Sequence, residues 1–454
     1  MKTKLIIISI TSYVFLLHGF ISICLAETTP TNRIESLALT ATNIYKEDPA
    51  TGTAYIYYPS ENETFYKPVV FVEGEDIITE RDQNDLYALC NQQHLMDTFL
   101  NNQQTVILID FDDTLDYVQN NAFLLIDFLK EIQKKSNDNL FSIIGLSAGG
   151  MIARYALTYM DNQSIPHKTR LLITIDTPHQ GGNVPLGVQH WIKFISQLSI
   201  PDNAINKAKE KFNRLSKPFP KQMLYYYYSE TNIGSDTSGP SPEKILFTTA
   251  LQEMGNYPQN LRKVAISNGC RTGKPISLQS ESYFIRYEQS VSIIVNAFAI
   301  WDAGQRNIVF DGKIDIKETP PFVTEDIDIQ ENIKIKEAIP YDIAPGSLLY
   351  TNQEIADTST FMGDINTDNP YHSYVSIISA LDIETSDVLT EIPLNPKSPF
   401  DRIYAPNNNQ RHLLISQEAA YIILSEIIPP GDIDMDGKIT LKDAIYLMKR
   451  MSSW

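Results

Sequence analysis

The chain has 454 residues, with 37 Lys and Arg against 55 Asp and Glu, and a formal charge of −18. That length can bury a large core and still leave room for a small second module. So acidic a chain repels phosphate backbones at long range, which argues against nucleic acid as a partner and is compatible with calcium.

Lys2 and Lys4 precede an apolar run over 5–23, followed by Cys24-Leu25-Ala26 and the polar Glu27-Thr28-Thr29. This order of charge, greasy segment and small residues reads as a signal peptide, 1–26, cut after Ala26. Ile23 stands where a lipoprotein signal needs a small residue before its cysteine. The run approaches the length of a membrane span, but its flanks favour cleavage. The expectation is a secreted protein, extracellular or periplasmic, with no transmembrane anchor in the mature chain. Cys90 and Cys270 then remain; in an oxidising compartment they either form a disulfide or stay as two separate buried thiols.

The main body spans 27–428. Residues 27–67 read as short strands and turns, and from Pro68 apolar strands alternate with amphipathic helices. Strands are expected at 69–72, 105–109, 140–144, 171–175 and 263–266. Helices are expected over 119–132, with Ala122, Leu125, Ile126 and Leu129 on one face, and over 149–160. This is the pattern of an α/β fold, a mostly parallel sheet covered on both faces.

The alternation fails over 183–262, where Trp191, Ile192, Phe194, Ile195 and Leu198 precede a lysine-rich stretch and the tyrosines 225–228. A lid or acyl-binding cap over the carboxyl edge of the sheet fits that composition, and ordinary helical packing fits it as well. A second insertion, 277–339, has β-like alternation and suggests no chemistry. Ser416 is placed to cap a last helix carrying Ala420, Ile423, Leu424 and Ile427 on one face. Pro429-Pro430-Gly431 then breaks the chain before a short acidic module, 431–454.

Gly145-Leu146-Ser147-Ala148-Gly149 follows an apolar strand and opens a helix. A serine there sits on a sharp turn that lifts its hydroxyl out of the sheet, and the glycines let strand and helix approach that turn. The Ala148 N–H, at the helix start, can face a developing oxyanion, where each fixed donor is worth ~3–4 kcal/mol. The second donor is expected from Glu73-Gly74-Glu75, with the Glu75 N–H as the candidate; a glycine that merely turns the chain is the alternative reading.

These segments resemble bacterial lipases and the related deacylases that act on glycosylphosphatidylinositol. The resemblance lies in Val69 to Gly74, in the Gly145-Leu146-Ser147-Ala148-Gly149-Gly150-Met151-Ile152-Ala153-Arg154-Tyr155 run, and in Asp176-Thr177-Pro178-His179-Gln180-Gly181-Gly182. It covers roughly 67–182, thins through the insertions and returns after Tyr341. It implies an α/β-hydrolase fold and a Ser-His-Asp triad. Where similar enzymes end the first strand in a His-Gly pair, this chain has Glu73-Gly74.

A serine hydroxyl needs a histidine to take its proton. Of seven histidines, His18 leaves with the signal, and His94, His167, His179 and His190 come too early for a fold whose triad runs serine, acid, histidine. His412 lies in a polar loop before the last helix, where similar hydrolases place the catalytic histidine, and the resemblance makes it the expected base, with His372 as the alternative. For the acid, 372–382 resembles the Asp-Gly-x-Val-Pro segment followed by Ser-Ala found in lipases, but His372 stands where that aspartate would be. Asp382 is the first choice, with Asp368 and Asp342 behind it.

Asp432, Asp434 and Asp436 fall at positions one, three and five of a calcium loop, and Gly437 at six permits its turn. Lys438 would offer its carbonyl, Thr440 its side chain or a water, and Asp443 would close the shell around a structural calcium. The aspartate at twelve and the short helix after it resemble one repeat of a dockerin, which implies a cohesin-like partner. Dockerins carry two repeats, and Asp364-Ile365-Asn366-Thr367-Asp368 lacks the glycine for a second. A calcium-stabilised terminus is the narrower expectation.

Together these residues predict a secreted serine ester hydrolase acting on lipid or acyl-ester substrates, with no cofactor for catalysis. Acyl transfer or glycolipid deacylation on the same fold is a second reading. A calcium-dependent binding or scaffold protein is a third, from another class.

Overall fold

The computed structural model describes residues 33–46, 48–59, 65–74, 83–136, 139–277, 283–288, 293–300, 307–317, 326–336, 338–358, 363–393, 395–428, 440–442 and 445. The chain enters as an antiparallel pair, β1 (Arg33–Thr40) and β2 (Thr51–Tyr58). Strands and helices then alternate: β3 (Val69–Val72), α1 (Gln83–Cys90), α2 (Leu95–Asn101), β4 (Val106–Phe111), α3 (Val118–Lys135), β5 (Phe141–Leu146), α4 (Ala148–Asn162) and β6 (Thr169–Ile175). A helical segment follows, α5 (Leu186–Ser196), α6 (Asn203–Leu215), α7 (Pro218–Met223) and α8 (Pro242–Glu253), before the chain returns to the sheet as β7 (Arg262–Ile266).

Beyond β7, β8 (Tyr283–Glu288), β9 (Ile293–Phe298), β10 (Asn307–Ile316) and β11 (Ile327–Ile335) form a separate antiparallel sheet. Next come β12 (Gly346–Leu349), α9 (Thr351–Ala356), β13 (His372–Ser376) and α10 (Ile377–Ala380), with β12 and β13 paired antiparallel. The chain closes the main sheet with β14 (Arg402–Tyr404) and covers it with α11 (Gln417–Ile427), capped by Ser416, whose hydroxyl accepts from the Ala419 N–H.

Among the described residues the main sheet has the order β1-β2-β4-β3-β5-β6-β7-β14. Strands from β4 through β3, β5, β6 and β7 to β14 run parallel, and β2 is antiparallel to β4. That order, with one antiparallel strand near the entry edge, is the α/β-hydrolase fold. The continuous apolar runs follow from burial on both faces. Val70, Val72, Ile107 and Ile143 face Leu125, Leu129 and Ile152 of α3 and α4. Val69, Phe71, Leu108 and Ile144 point the other way, toward Phe99 of α2 and Ile423 of α11.

The two insertions pack on each other. Phe194 of α5 lies 5.4 Å from Phe310 of β10, ring centre to ring centre, and His190 Nδ1 stands 3.4 Å from Glu331 of β11. Cys90 and Cys270 are both buried and do not pair; Cys270 Sγ instead lies 3.1 Å from Thr272 Oγ1 and 3.0 Å from the Asn407 carbonyl. No helix among the described residues is long and apolar enough to cross a membrane. The expected signal peptide and almost all of the 431–454 module lie outside the described residues.

Candidate active site

β5 ends at Leu146 and α4 begins at Ala148, so Ser147 alone makes the turn, with φ 48° and ψ −121°. A non-glycine residue in that region is strained, and such strain is characteristic of a nucleophile elbow. The flanking glycines are there because nothing larger fits. A Cβ on Gly145 would stand 2.4 Å from Gly150 Cα, and one on Gly149 would stand 2.0 Å from the Val72 carbonyl oxygen at the end of β3. The same crowding holds Gly74 against the helix start: its Cβ would lie 2.3 Å from the Ala148 nitrogen and 2.2 Å from the Gly149 nitrogen. The strand-end loop thus adjoins the amide proposed for the oxyanion. Glu75, the expected second donor, lies outside the described residues.

His412 comes from the turn before α11. Its amide donates to the Leu348 carbonyl at 3.0 Å, the Tyr374 ring packs edge-on against the imidazole at 4.7 Å, and Ser347 Oγ lies 3.1 Å from Nδ1. So held, His412 presents Nε2 3.0 Å from Ser147 Oγ. Its Nδ1 is in hydrogen-bond contact with Asp176 Oδ2. With Nδ1–H donating to the carboxylate, Nε2 is left as an acceptor for the serine proton.

Asp176 immediately follows β6, has φ 51°, and is fully buried. Its amide donates to the Ile266 carbonyl at 2.7 Å, and its Oδ1 accepts from the Asn268 amide at 3.1 Å. One carboxylate oxygen is therefore fixed by β7's exit loop, and the other is left to His412.

The expected acid, Asp382, is corrected by this geometry. Asp382 sits just past α10, where its carboxylate accepts from Tyr257 Oη at 2.5 Å and from Gln180 Nε2 at 2.9 Å, with Arg154 Nη1 3.8 Å away. That carboxylate is committed to Tyr257, Gln180 and Arg154, whereas the carboxylate on His412 is that of Asp176. Asp342 is buried and accepts from the Ile300 amide at 2.7 Å and from Asn183 Nδ2 at 2.9 Å, while Asp368 is exposed. His372, the alternative base, is buried in β13 beside Phe284.

Ser147 is fully buried, and His412 is 7% exposed. Of the calcium-loop residues, Asp432, Asp434, Asp436, Lys438 and Asp443 lie outside the described residues; Thr440 is exposed, and its Oγ1 accepts from the Lys442 amide at 3.2 Å.

The signal missed in the sequence was positional. Asp176 directly follows the apolar run Leu171-Leu172-Ile173-Thr174-Ile175, and in an open α/β sheet reacting groups gather at the carboxyl ends of strands. The order serine, acid, histidine is preserved with Asp176, so the search beyond the insertions was not required.

Strand order and elbow define an α/β-hydrolase fold, and the contacts of Ser147, His412 and Asp176 have the arrangement of a serine-histidine-aspartate triad. A protein-family profile described as "Putative serine esterase (DUF676)" matches residues 84–232, about a third of the chain, and includes Ser147 and Asp176 but not His412. Among solved structures, the esterase Est22 is 11% identical over 32% of this chain and 44% of its own, with a TM-score of 0.26. A hyperthermophilic esterase from the archaeon Pyrobaculum calidifontis is 13% identical over 52% of this chain and 64% of its own, with a TM-score of 0.31. A Bacillus licheniformis lipase, BlEst2, is 17% identical over 54% of this chain and 74% of its own, with a TM-score of 0.27. This chain thus spans less than half the length of Est22, and at such scores the class rests on strand order and site geometry. No curated protein matches the sequence.

Proposed function

We propose that this chain is a secreted serine ester hydrolase, a lipase or carboxylesterase, that cleaves lipid or acyl esters through Ser147, His412 and Asp176. The observation that carries this reading is His412 bridging Ser147 Oγ at 3.0 Å and the Asp176 carboxylate.

In this reading His412 Nε2 takes the proton as Ser147 Oγ attacks the ester carbonyl. Asp176 stays ionised, holds the Nδ1–H tautomer and stabilises the imidazolium that forms. The carbonyl oxygen, now negative, is met by the Ala148 N–H at the start of α4, where the helix dipole adds to the donor. Collapse of the tetrahedral intermediate expels the alcohol, which receives the proton from His412. Water, deprotonated by the same imidazole, then releases the acid and restores Ser147. Because Ser147 is fully buried, substrate entry requires a movement that uncovers it.

We assign the terminal loop to a structural calcium on the spacing of its carboxylates, with no part in the chemistry. The test is hydrolysis of p-nitrophenyl esters of short and long acids by the full chain and by His412→Ala. The reading expects turnover by the first and a loss of at least about 10³-fold in kcat by the second; equal turnover by both contradicts it.

A further inference from the structure

Pro178 to Gly181, in the loop that carries Asp176, line a cavity of about 280 Å³ that Ser147 does not line. Its walls come from α4, from the loop itself and from α7 and α8. Met151, Met223, Phe247 and Leu251 supply apolar surface, and Gln222, Thr248 and Lys244 supply polar groups.

Lys244 is the unusual member. Its Nζ donates to the carbonyls of Gln180 and Met223, each at 2.8 Å, and stands 5.1 Å from the centre of the Tyr225 ring. Gly181, at φ 136°, makes room for it, since a Cβ there would lie 2.3 Å from Nζ. An ammonium has three protons to donate, and two are taken by these carbonyls. Burial pushes the amine down to about 7, with no acidic group among the described residues offsetting it. Buried charges are ordinarily paired.

The other charges at the cavity satisfy one another. Arg154 lies 3.7 Å over the Tyr257 ring, donates through Nε to the Asn256 carbonyl at 2.8 Å, and faces Asp382 at 3.8 Å. His179 is held neutral by burial and by the adjacent Arg154. Among the described residues Lys244 is therefore left without a carboxylate partner, at the edge of a partly open space lined by both apolar and polar groups.

We propose that this cavity is a second ligand site, distinct from the Ser147 centre, that takes a monoanionic carboxylate with a short apolar tail, its head on Lys244 and its tail along Met151, Phe247 and Leu251. A single negative charge matches the single uncompensated ammonium. A dianion would add a charge near Asp382, which also lines the cavity.

The test is calorimetric titration of the full-length protein with octanoate, with octanol and octylammonium as controls for tail and charge. Octanoate is expected to saturate one site, with octanol and octylammonium at least tenfold weaker. Lys244→Met, checked for folding by its thermal transition, is expected to weaken octanoate binding at least tenfold. Leu251→Trp, which fills the cavity and leaves Lys244 in place, should do the same and decides the matter where Lys244→Met fails to fold. No saturable binding to the wild-type chain, equal binding of octylammonium, or undiminished affinity in either folded variant overturns the proposal.

Discussion

The carboxylate of Asp176 meets the imidazole of His412, 236 positions further along the chain. The helical segment, the second sheet and the β12–β13 pair all lie between them in the chain, as do the main-sheet strands β7 and β14. β6 and β7 fix the carboxylate, while β12 and the turn before α11 fix the imidazole.

The assignment of the acid separates two aspartates. Asp176→Asn keeps the shape of the site but favours the wrong imidazole tautomer, and kcat should fall by about 10³–10⁴. Asp382→Asn removes a carboxylate bound to Tyr257 and Gln180, and kcat should change less than about tenfold because the group does not touch His412. Steady-state kinetics on both variants checks the assignment, and the reverse ranking would restore Asp382.

Gly74 packs against the amides at the start of α4. Gly74→Ala forces its methyl into the Ala148 and Gly149 nitrogens and displaces the donor that faces the oxyanion. The loss of one such donor costs about 10²–10³ in kcat. KM should move far less than kcat, which steady-state kinetics on a folded variant reads directly.

Two buried groups give stability opposite dependences on pH. Burial lowers His372 to about 3 from an ordinary 6.5, so below 6.5 the unfolded chain takes a proton that the native chain refuses. Stability from this group is complete above 6.5 and is lost as pH falls toward 3, by about 1.4 kcal/mol per unit. Burial raises Asp342 to about 6 from 3.8, so between those values the native chain holds the extra proton. That contribution is complete below 3.8 and is lost as pH rises through 6, at the same rate of about 1.4 kcal/mol per unit. Relative to wild type, His372→Gln should therefore gain stability as pH falls from 6 to 4, and Asp342→Asn should lose it. Urea unfolding at both pH values tests the two signs, and parallel curves for all three proteins would contradict them.

The terminal loop should bind calcium without serving catalysis. Removal of 431–454 is expected to abolish terbium luminescence from the loop and to leave ester turnover within about twofold, since the ion would act only on the terminus. A large loss of turnover on truncation would contradict this.

Much of this was legible in the sequence because the parallel sheet writes itself in apolar runs. The residues of β3, β5 and β6, buried on both faces, fix where strand gives way to helix, and so locate Ser147. The helix over 119–132 extends in the structure to Val118–Lys135, with Lys134 and Lys135 in its last turn, where cations suit the dipole. His412, singled out because similar hydrolases carry a histidine before the last helix, lies within hydrogen-bond reach of Ser147. Asp176 was passed over although it directly follows an apolar strand; that position marks it as a candidate, and its contact with an imidazole is made by His412, far away in the chain. The burial of Ser147 was also unreadable, since it depends on how segments distant in sequence close over the elbow.

The account rests on Ser147 as the attacking group, and covalent labelling tests it most directly. Treatment of the full-length chain with a fluorophosphonate, followed by peptide mass spectrometry, should place one adduct on Ser147 and none anywhere on Ser147→Ala. An adduct retained by Ser147→Ala, or a wild-type chain that stays unlabelled while it still hydrolyses esters, would contradict it.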